Sequence, residues 1–424
     1  MDFYSHLKTY LTDEEIVSLE QSLNKKSEHA LLLNTDKMSQ EKLLNIYPSL
    51  KRHPIIDHAF IYNKEELDLG KSIYHALGCF YLQEPSAMLP AYLLSPKPGD
   101  LLLDLCAAPG GKSMQASLLM KNEGLIIAND IAKNRAFAIS ENAERLGRGN
   151  LLITNNDFSL IYDKFQNYFD KIILDAPCSG SGMFRKEDKM MADWSYQKVL
   201  KYAEIQKELI TMCYSMLKPG GLMVYSTCSF SYEEDEEVIK HLLNNSDAIL
   251  ISIPHNILYY ESKDKLGIHL LPSIFPGEGH YLALIKKPGE IKKTRFDEMS
   301  KNKYRVQSSY PHIEKYGDYL YTMSEKINIK NLNVIRYGVK VGELIKDNIK
   351  YDHHYAHFVK DFANVKEITL DELIKYYQGE SLNIQTPKGD ILLKYQGVNV
   401  DIAKSDGRII KNHLPKGLRH KFIA

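Results

Sequence analysis

The chain has 424 residues, of which 54 are Lys or Arg and 54 are Asp or Glu, so its net charge is zero and identifies no partner. This length is enough for two or three domains with a sizeable core. No apolar run approaches the length of a membrane span, and the N-terminal residues lack the apolar stretch of a signal peptide. We therefore expect a cytoplasmic protein that does not associate with a membrane.

The cysteine and histidine patterns favour reduced thiols and no metal. None of the cysteines forms a C-x-x-C pair, which is typical of a protein from a reducing compartment. The histidines show no spacing of a metal site, and we expect His353 and His354 to lie in a loop or on the surface. The sequence contains five cysteines, which are Cys79, Cys106, Cys178, Cys213 and Cys228.

Residues 1–98 predict a small α/β extension. Thr12 precedes three acids and is expected to cap a helix. The segment ALLLN, residues 30–34, is expected to form a strand, and SQEKLLNIY after it a capped helix. A short apolar helix should then end before Pro96, and capping is the role that we expect for Gln83 and Ser86 ahead of it.

Residues 99–287 alternate between strand and helix patterns. Helical periodicity covers residues 132–146 and 198–217. Such alternation predicts a mostly parallel sheet with helices on both faces, in which ligands bind beyond the carboxyl ends of the strands. The apolar strand segments are LLLDL, LIIAN, LLITN, KIILD, LMVYS, AILISI and HYLALIKK.

The first crossover of this sheet, LLLDLCAAPGGKS at residues 101–113, has the pattern of a ligand-binding loop. Its small residues would let a ligand approach the N–H groups that begin a helix. A P-loop would need glycine where Cys106 stands, and G-x-G-x-x-G is absent. Asp130, at the next strand tip, is placed to bind a ribose. The loop therefore suits S-adenosylmethionine (AdoMet), although a purely structural glycine turn explains this stretch alone equally well.

Two further strand tips carry thiols. Asp175 and Cys178 follow KIIL, and Ser226, Thr227 and Cys228 follow LMVY. If these strands are neighbours, about 5 Å apart, both thiols converge beside the nucleoside pocket. A thiol attacks only as the thiolate, which Lys112 and a helix N-terminus would favour. A free cysteine is otherwise a small buried hydrophobe, and this is how we interpret the other three.

Two thiols, an acid and an AdoMet-like pocket match the chemistry of cytosine C5 methylation. C5 of the aromatic ring is not nucleophilic, but addition of a thiolate at C6 makes C5 enamine-like, so that it attacks a sulfonium methyl group. The C5 proton must then leave and the thiol must be expelled, which divides one difficult step into easier ones. An acid near N3 would stabilise the charge that develops.

The chain changes character after Lys287. A charged segment with Pro and Gly suggests a linker, short strand-like pieces follow to about residue 360, and residues 365–424 resemble a helix followed by strands. The last 21 residues carry six basic side chains against one acid, Asp406. Such a tail suits binding of phosphate, although a solvated basic terminus is an equally good interpretation. We divide this region into domains at 288–362 and 363–424.

Long ordered motifs resemble the Nop/Sun family of RNA cytosine-5 methyltransferases. In the core these are DLCAAPGGKS, AND, ND at 156–157, DAPCSGSGMFRKED and YSTCSFSYEEDEEVI. YLQEPSAM and FPGEGHYLAL, at residues 81–88 and 275–284, resemble the bacterial RsmF-type branch, which methylates small-subunit ribosomal RNA. The segment DGRIIKNHLPKGLR resembles the end of the PUA-like RNA-binding domain of that branch. The resemblance implies a Rossmann-like class I methyltransferase core with an α+β PUA-like C-terminal region.

The resemblance also implies roles for individual residues. Cys228 would be the nucleophile at C6, and Cys178 would assist proton removal or enzyme release. Asp175 would contact both AdoMet and the target base, which Lys112 and Asp175 would polarise. Arg185 and Lys186 would lie where RNA phosphate passes, although a surface role is an equally good interpretation. The residues expected to bind AdoMet are Cys106, Ala107, Ala108, Pro109, Gly110, Gly111, Lys112, Asp130, Arg135, Asp157 and Asp175.

The function implied is methylation of a cytidine in 16S ribosomal RNA near the decoding region. The partner would be 16S rRNA or the 30S subunit, and we expect a monomer. Two alternatives remain open at this stage. One is tRNA as the substrate, and the other is an inactive ribosome assembly factor, which the intact set of motif residues disfavours.

Overall fold

The computed structural model describes residues 2–185, 188–254, 257–262, 264–292, 304, 306, 308–346 and 348–419. The N-terminal region begins with two helices and continues into a sheet of order β2–β3–β1–β4, whose strands all pair antiparallel. Its elements are α1 (Phe3–Leu7), α2 (Asp13–Leu23), β1 (His29–Leu33), α3 (Gln40–Ile46), β2 (Lys51–Arg52), β3 (Ala59–Tyr62), α4 (Ile73–Ala76), β4 (Phe80–Gln83) and α5 (Leu89–Leu94).

Capping explains where these helices begin and corrects one prediction. Thr12 and Glu15 form a capping box at α2, as expected. Gln83 and Ser86, in contrast, do not cap α5, whose N-cap position is Met88 with no side-chain cap. The turn before this helix is stabilised by Glu84, whose carboxylate accepts the N–H groups of Ser86 at 2.9 Å and Ala87 at 2.7 Å. A carboxylate offers more acceptor sites than a hydroxyl or an amide, and this explains the difference.

The core is a doubly wound sheet, as the alternating pattern predicts. Its centre has the order β9–β8–β5–β6–β7 with all neighbours parallel, and β13 pairs antiparallel with β9. The elements are β5 (Leu101–Asp104), α6 (Gly111–Leu119), β6 (Leu125–Asn129), α7 (Lys133–Leu146), β7 (Leu151–Thr154), α8 (Phe158–Lys164), β8 (Phe169–Asp175), α9 (Asp188–Asp193), α10 (Tyr196–Met216), β9 (Leu217–Thr227), α11 (Glu236–Asn244), β10 (Ile249–Ile251), β11 (Tyr260–Glu261), β12 (Ile268–Leu270) and β13 (His280–Lys286).

Alternate side chains of the parallel strands pack on opposite faces of this sheet. On β5, Leu102 belongs to the cluster that contains Met114 of α6, whereas Leu103 belongs to the cluster that contains Ile210 of α10. All four side chains are fully buried. Burial of both faces explains why these strands appear in the sequence as continuous apolar runs rather than as alternating ones. The polar residues Asp104 and Asp175 stand where two of these buried strands end.

The C-terminal region contributes a strand to the core sheet. Strand β16 (Val334–Tyr337) pairs antiparallel with β7, through Val334 opposite Thr154 and Tyr337 opposite Leu152. A register shift between Val334 and Arg336 accompanies this pairing. Nothing in the sequence pattern indicated that a segment after residue 288 joins the core, and the four-domain division stays a prediction.

The remaining elements form two smaller sheets, of order β14–β15–β17–β18 and β19–β20–β21–β22. Their strands are β14 (His312–Tyr316), β15 (Tyr319–Met323), β17 (Val339–Ile345), β18 (Asn348–Tyr351), β19 (Val365–Glu367), β20 (Gly389–Tyr395), β21 (Val398–Ser405) and β22 (Ile410–Lys411), and the helices of this region are α12 (His353–Phe358) and α13 (Leu370–Tyr377). None of the helices among the described residues is long and apolar enough to span a membrane.

The histidine pair at residues 353–354 is not in a surface loop. His353 and His354 form the first turn of α12, where His354 is fully buried and the His353 side chain is only 7% exposed. His353 Nδ1 contacts Asp401 Oδ1 at 3.0 Å, which joins α12 to β21. The expectation of an exposed position is therefore wrong, because partners distant in sequence compensate for burial of these rings.

Candidate active site

The predicted site residues gather at the carboxyl ends of β5, β6, β8 and β9. In the parallel register, Asp104 of β5 lies opposite Ala128 of β6, and Asp175 of β8 lies opposite Ser226 of β9. The expectation that the two thiol-bearing strands are neighbours is confirmed by this pairing. The polar residues therefore line one edge of the sheet, which is where doubly wound folds bind their ligands.

The glycine turn between β5 and α6 presents bare backbone. Gly110 has φ of +107°, a conformation that L-residues with side chains rarely adopt, and a Cβ at that position would lie 3.3 Å from Ile139. At Gly111 a Cβ would lie only 2.9 Å from the Gln83 side chain. The first N–H groups of α6 have no acceptor within the helix, so the turn directs them toward the loop. The turn thus forms a cradle for a polar ligand.

Asp104 is a fully buried carboxyl group beside this turn. Ser113 Oγ donates a hydrogen bond to its Oδ2 at 2.6 Å, and Oδ1 has no hydrogen-bond partner among the described residues. Burial raises the pKa of Asp104 to about 7, although the bond from Ser113 opposes this rise. The unpartnered oxygen marks this strand tip as a place for a ligand donor or a proton.

Asp130 and Arg135 frame the adjacent strand tip. The Asp130 side chain is only 3% exposed, and its Oδ1 accepts the N–H of Ala132 at 2.9 Å. Arg135 lies 3.5 Å from Asp130 Oδ2 and donates to the carbonyl oxygen of Ala108 at 3.1 Å. The arginine therefore ties the helix after β6 to the glycine turn after β5.

Asp157 follows the next strand, β7, and caps α8. It accepts a hydrogen bond from the hydroxyl of Ser159 at 2.7 Å and another from its N–H at 3.0 Å, which together lower the pKa of Asp157. The side chain is exposed. A helix-capping acid at this strand tip could also accept a hydrogen bond from a ligand that lies along the sheet edge.

The arrangement fits AdoMet. The glycine turn leaves little room for a Cβ and offers backbone N–H groups to a ligand. The unpartnered Asp104 oxygen would accept from the amino group of AdoMet, and the acid at the second strand tip would accept from its ribose hydroxyls. The Cys106 side chain borders the turn, and burial raises the pKa of its thiol well above the ordinary value. This thiol therefore stays protonated and lines the turn, and it does not act as a nucleophile.

Cys178 and Cys228 meet at the neighbouring strand tips, with their Sγ atoms 3.1 Å apart. The hydrogen bond to Cys228 and burial together raise the pKa of the Cys178 thiol well above its ordinary value. Either sulfur can be the donor of this hydrogen bond, so the two thiols can share one proton between them.

Lys112 and Asp175 form an ion pair beside the thiols. Lys112 Nζ lies 2.6 Å from Asp175 Oδ2, and Ser226 Oγ donates to Asp175 Oδ1 at 2.6 Å. Burial would raise the pKa of Asp175, but the ammonium group of Lys112 and further donors lower it below the ordinary value. Burial would likewise lower the pKa of Lys112, and the Asp175 carboxylate raises it instead. Both groups are therefore charged at neutral pH.

Sequence reasoning missed the buried acids behind the thiols. Glu234 accepts the N–H of Ser179 at 2.8 Å and the hydroxyl of Ser229 at 2.6 Å, and Asp235 accepts the hydroxyl of Thr227 at 2.6 Å. The run of acids after Cys228 has the composition of a solvated helix start. Only the turn that folds it back onto β8 and β9 shows its contacts, and no spacing signal relates Glu234 to Ser179.

Arg185 is not available to RNA. Its side chain is 5% exposed, and its Nε donates to Glu278 Oε2 at 2.9 Å, while its terminal nitrogens donate to the carbonyl groups of Ser22 and Gly277. The prediction that it contacts phosphate is therefore wrong, since a basic residue in this motif is used for internal packing. Lys186 lies outside the described residues.

The predicted cationic C-terminus lies at the surface. Lys404, Arg408 and Lys411 are exposed on and around the hairpin of β21 and β22. Asp406 is tied up locally, because it accepts the N–H groups of Arg408 and Ile409 at 3.0 and 2.9 Å. This leaves the basic side chains facing solvent, while Lys421 lies outside the described residues.

Three family profiles match successive parts of the chain. The N-terminal domain of 16S rRNA methyltransferase RsmF matches residues 1–85, the 16S rRNA methyltransferase RsmB/F profile matches residues 91–286, and the methyltransferase RsmF PUA domain matches residues 363–420. The Rossmann-like methyltransferase fold and the PUA domain that we expected are thereby confirmed.

Solved structures share this fold. A methyltransferase homolog protein from Pyrococcus horikoshii is 30% identical, with a TM-score of 0.59 over 67% of this chain and 93% of its own. NSun6 from the same organism, crystallised with the AdoMet analogue SFG, has a TM-score of 0.62 at 22% identity over 68% of this chain and 98% of its own. At that identity the second likeness supports the fold alone.

Curated relatives extend over nearly the whole chain. The ribosomal RNA small subunit methyltransferase F of Vibrio parahaemolyticus is 31% identical, over 97% of this chain and 95% of its own length. The protein of the same name from Shewanella woodyi is 28% identical over 99% and 95%. The chain therefore belongs to the ribosomal RNA small subunit methyltransferase F family of AdoMet-dependent methyltransferases.

Proposed function

We propose that this protein transfers a methyl group from AdoMet to C5 of a cytidine in 16S rRNA near the decoding region, through a covalent bond between Cys228 and C6. The observation that carries the proposal is the close thiol pair, with sulfur atoms 3.1 Å apart beside the Lys112–Asp175 ion pair. A single thiol would serve many reactions. Two thiols at one edge suit a reaction that forms and then breaks a covalent bond to the substrate.

The cofactor would lie along the edge formed by the first three parallel strands. When bound, it supplies a methyl group activated by a sulfonium centre. Asp130 would hold the ribose, Asp157 the adenine side and Asp175 the methionine end, with Arg135 closing the glycine turn. The remaining contacts would come from the turn itself, at Cys106, Ala107, Ala108, Pro109, Gly110, Gly111 and Lys112.

Cys228 would begin the reaction on the base. A hydrogen bond from Cys178, whose sulfur lies 3.1 Å away, would stabilise the Cys228 thiolate, and the ammonium group of Lys112 would add a favourable field. Attack on C6 forms the S–C6 bond and moves the C5–C6 π electrons, with negative charge developing over C5, N3 and O2. Lys112 stabilises that charge, and C5 then attacks the methyl group.

Asp175 would select cytosine. Because Lys112 lowers its pKa, the carboxylate is ionised and accepts hydrogen bonds instead of donating a proton at N3. The exocyclic amino group of cytosine offers such a donor, whereas the corresponding oxygen of uracil would repel the carboxylate. The positive charge near N3 and O2 would then come from Lys112. This division of roles refines the simpler expectation that an acid near N3 stabilises the developing charge.

Cys178 would complete the reaction. Its sulfur lies 3.1 Å from that of Cys228 and would therefore lie beside the base once Cys228 bonds to C6. After giving its own proton to solvent, Cys178 would act as the base that removes the C5 proton. The C5–C6 double bond re-forms as the proton leaves, and Cys228 is expelled as a thiolate.

The C-terminal region would hold the RNA while the target base leaves its stack. The exposed basic side chains around Lys404, Arg408 and Lys411 would contact phosphates, and base extrusion gives the enzyme access to C5. We keep the division at 1–98, 99–287, 288–362 and 363–424 as part of this proposal. The protein would act as a monomer in the cytoplasm, where its rRNA substrate is made.

Transfer of tritium from methyl-labelled AdoMet tests the proposal. We expect label in unmodified 16S rRNA or 30S particles, and bisulfite sequencing should place 5-methylcytosine near the decoding region. Label in tRNA with none in 16S rRNA would favour the tRNA alternative. Absence of transfer to every RNA would favour an assembly factor that has lost its activity.

A further inference from the structure

The turn that carries Glu234 lies behind both cysteines and joins their loops. We propose that Glu234 is a positioning residue, which clamps the two loops and thereby sets the distance between Cys178 and Cys228. This inference rests on the proposed function for its meaning, since the distance matters only if both sulfurs act on one base. The clamp itself is a structural claim with its own test.

On the Cys178 side, both neighbours of the cysteine are held. Ser179 donates its N–H to Glu234 Oε1 at 2.8 Å, and its hydroxyl donates to Oε2. Gln206 of α10 donates to the carbonyl oxygen of Pro177 at 2.8 Å and to Glu234 Oε1 at 3.1 Å. Cys178 therefore stands between two residues that converge on one carboxylate.

The Cys228 side is held by the same acid. The Ser229 hydroxyl donates to Glu234 Oε2 at 2.6 Å, and Gly182 donates its N–H to the carbonyl oxygen of Cys228 at 2.7 Å. The hydroxyls of Ser179 and Ser229, one beside each cysteine, thus share a single carboxylate oxygen of Glu234. No rotation of either loop away from the other leaves both bonds intact.

Glu234 is itself anchored to the strand that carries Cys228. The hydroxyl of Tyr225, a fully buried residue on β9, donates to the carbonyl oxygen of Glu234. The adjacent Asp235 accepts the hydroxyl of Thr227 at 2.6 Å. The clamp is thus fixed to β9 through its backbone and reaches across to β8 through its side chain.

The carboxylate is the form that fits this environment. Four hydrogen bonds reach its two oxygens, two from Ser179, one from Ser229 and one from Gln206, and an ionised carboxylate can accept all four. Burial raises the pKa of Glu234, and the bonds from Ser179 and Ser229 oppose that rise. A buried charge with satisfied partners gives a rigid joint, because breaking any one bond leaves a desolvated group.

Chemical cross-linking of the two thiols measures their separation without RNA or cofactor. Diamide takes two electrons and two protons from a pair of close thiols, forms the disulfide and leaves as the hydrazine. We would treat the full chain with diamide and quantify the Cys178–Cys228 peptide by mass spectrometry. Wild type should cross-link rapidly, and Glu234→Ala should do so at least about fivefold more slowly, because its loops are released.

Steady-state methylation separates positioning from binding. Glu234→Ala should lower kcat about 100-fold with little change in the KM for AdoMet, since a displacement of about 1 Å costs this much. Glu234→Gln should restore most of kcat, because its amide oxygen can still accept from Ser179 and Gln206 while the serine hydroxyls rotate to accept from its NH₂. Because a smaller fraction of folded enzyme would also lower the apparent kcat without changing KM, kcat is calculated from the concentration of enzyme that binds AdoMet.

Two further variants keep the result interpretable. Glu233→Gln is the matched control, since Glu233 contacts His6 and Tyr196, and it should cross-link as wild type. Ser229→Ala removes one of the hydrogen bonds to Glu234, together with the bond from the N–H of Ser231, and leaves the acid in place; it should slow cross-linking partially and serves if Glu234→Ala does not fold. Equal cross-linking rates for wild type, Glu234→Ala and Ser229→Ala would overturn the clamp. Failure of the wild type to methylate RNA would instead contradict the proposed function.

Discussion

The two halves of the candidate site are built by different means. The half at the carboxyl ends of β5 and β6 is formed mainly by backbone, with Gly110 at φ +107° and the first N–H groups of α6 as its main features. The half at the ends of β8 and β9 is made of side chains, which form two pairs: Lys112 with Asp175 at 2.6 Å, and Cys178 with Cys228 at 3.1 Å. Shape is the property of the first half, and charge and proton position are the properties of the second.

This difference predicts how each half responds to substitution. A backbone cradle binds a ligand similarly in the ground state and the transition state, so its loss changes the affinity for AdoMet. Side chains that stabilise charge during the reaction change kcat. We therefore expect substitutions in the thiol half to change turnover, and substitutions in the glycine half to change binding of AdoMet.

The largest effect is expected for Cys228→Ala. The variant lacks the sulfur that bonds to C6, so methylation should fall by at least about 10³-fold and no covalent protein–RNA complex should form. Tritium transfer and denaturing gels measure the two quantities. Cys79→Ala, a substitution of a buried cysteine outside the site, is the control and should retain activity. A fully active Cys228→Ala enzyme would remove the distinction between the two halves.

The second-largest loss of turnover is expected for Cys178→Ala, and this variant should also accumulate a product that Cys228→Ala does not form. Without the base for the C5 proton, turnover should decrease about 100-fold, while methylated RNA stays bound to Cys228 and accumulates as a complex. Denaturing gels with labelled RNA detect this species. The reverse pattern, with trapped complex in the Cys228 variant, would exchange the roles of the two cysteines.

Asp175→Asn should lower kcat about 10- to 100-fold, because it leaves the ammonium group of Lys112 without its partner and removes the acceptor for the cytosine amino group. The KM for AdoMet should rise less. Asp163→Asn, at an exposed acid in α8, is the charge-matched control. If both variants behave alike, the ion pair has no part in turnover.

Gly110→Ala should act mainly on AdoMet. Forcing an L-residue to φ +107° costs about 1–2 kcal/mol, and relief of this strain would distort the turn, so the Kd for AdoMet should rise about tenfold. Calorimetric titration measures the Kd, and kcat at saturating AdoMet should change less than twofold. A loss confined to kcat would show that the backbone half does more than bind.

The last prediction concerns stability and pH, with no effect on turnover implied. The pKa of Asp104 is about 7 in the folded chain and near its ordinary value of 3.8 when unfolded. Between these values only the folded chain keeps the proton, so the free energy of unfolding falls as pH rises through this window. Asp104→Asn removes this term and should gain stability relative to wild type from pH 4 to 7. Urea denaturation measures the free energy of unfolding of both proteins. If the difference between Asp104→Asn and wild type is the same at pH 5 and pH 7, the raised pKa is contradicted.

Sequence reasoning succeeded where the signal is local. Continuous apolar runs ending in Asp104, Asp130 and Asp175 predicted the sheet, and the strand patterns before Cys178 and Cys228 led us to expect these thiols side by side if their strands are neighbours. It failed where a partner distant in sequence decides the structure. The burial of Arg185 against Glu278 depends on such a contact, and so do the pairing of β16 with β7 and the reach of Glu234 to Ser179.

The most direct test of the account is to identify the sulfur that bonds to the base. RNA that contains 5-azacytidine has nitrogen in place of C5 and no proton to remove, so it should trap the enzyme after thiolate addition and methyl transfer. Peptide mapping of the trapped complex by mass spectrometry then locates the linkage. The account predicts a linkage at Cys228 that requires AdoMet and RNA, and a linkage at Cys178, or no linkage in an enzyme that methylates RNA, would contradict it.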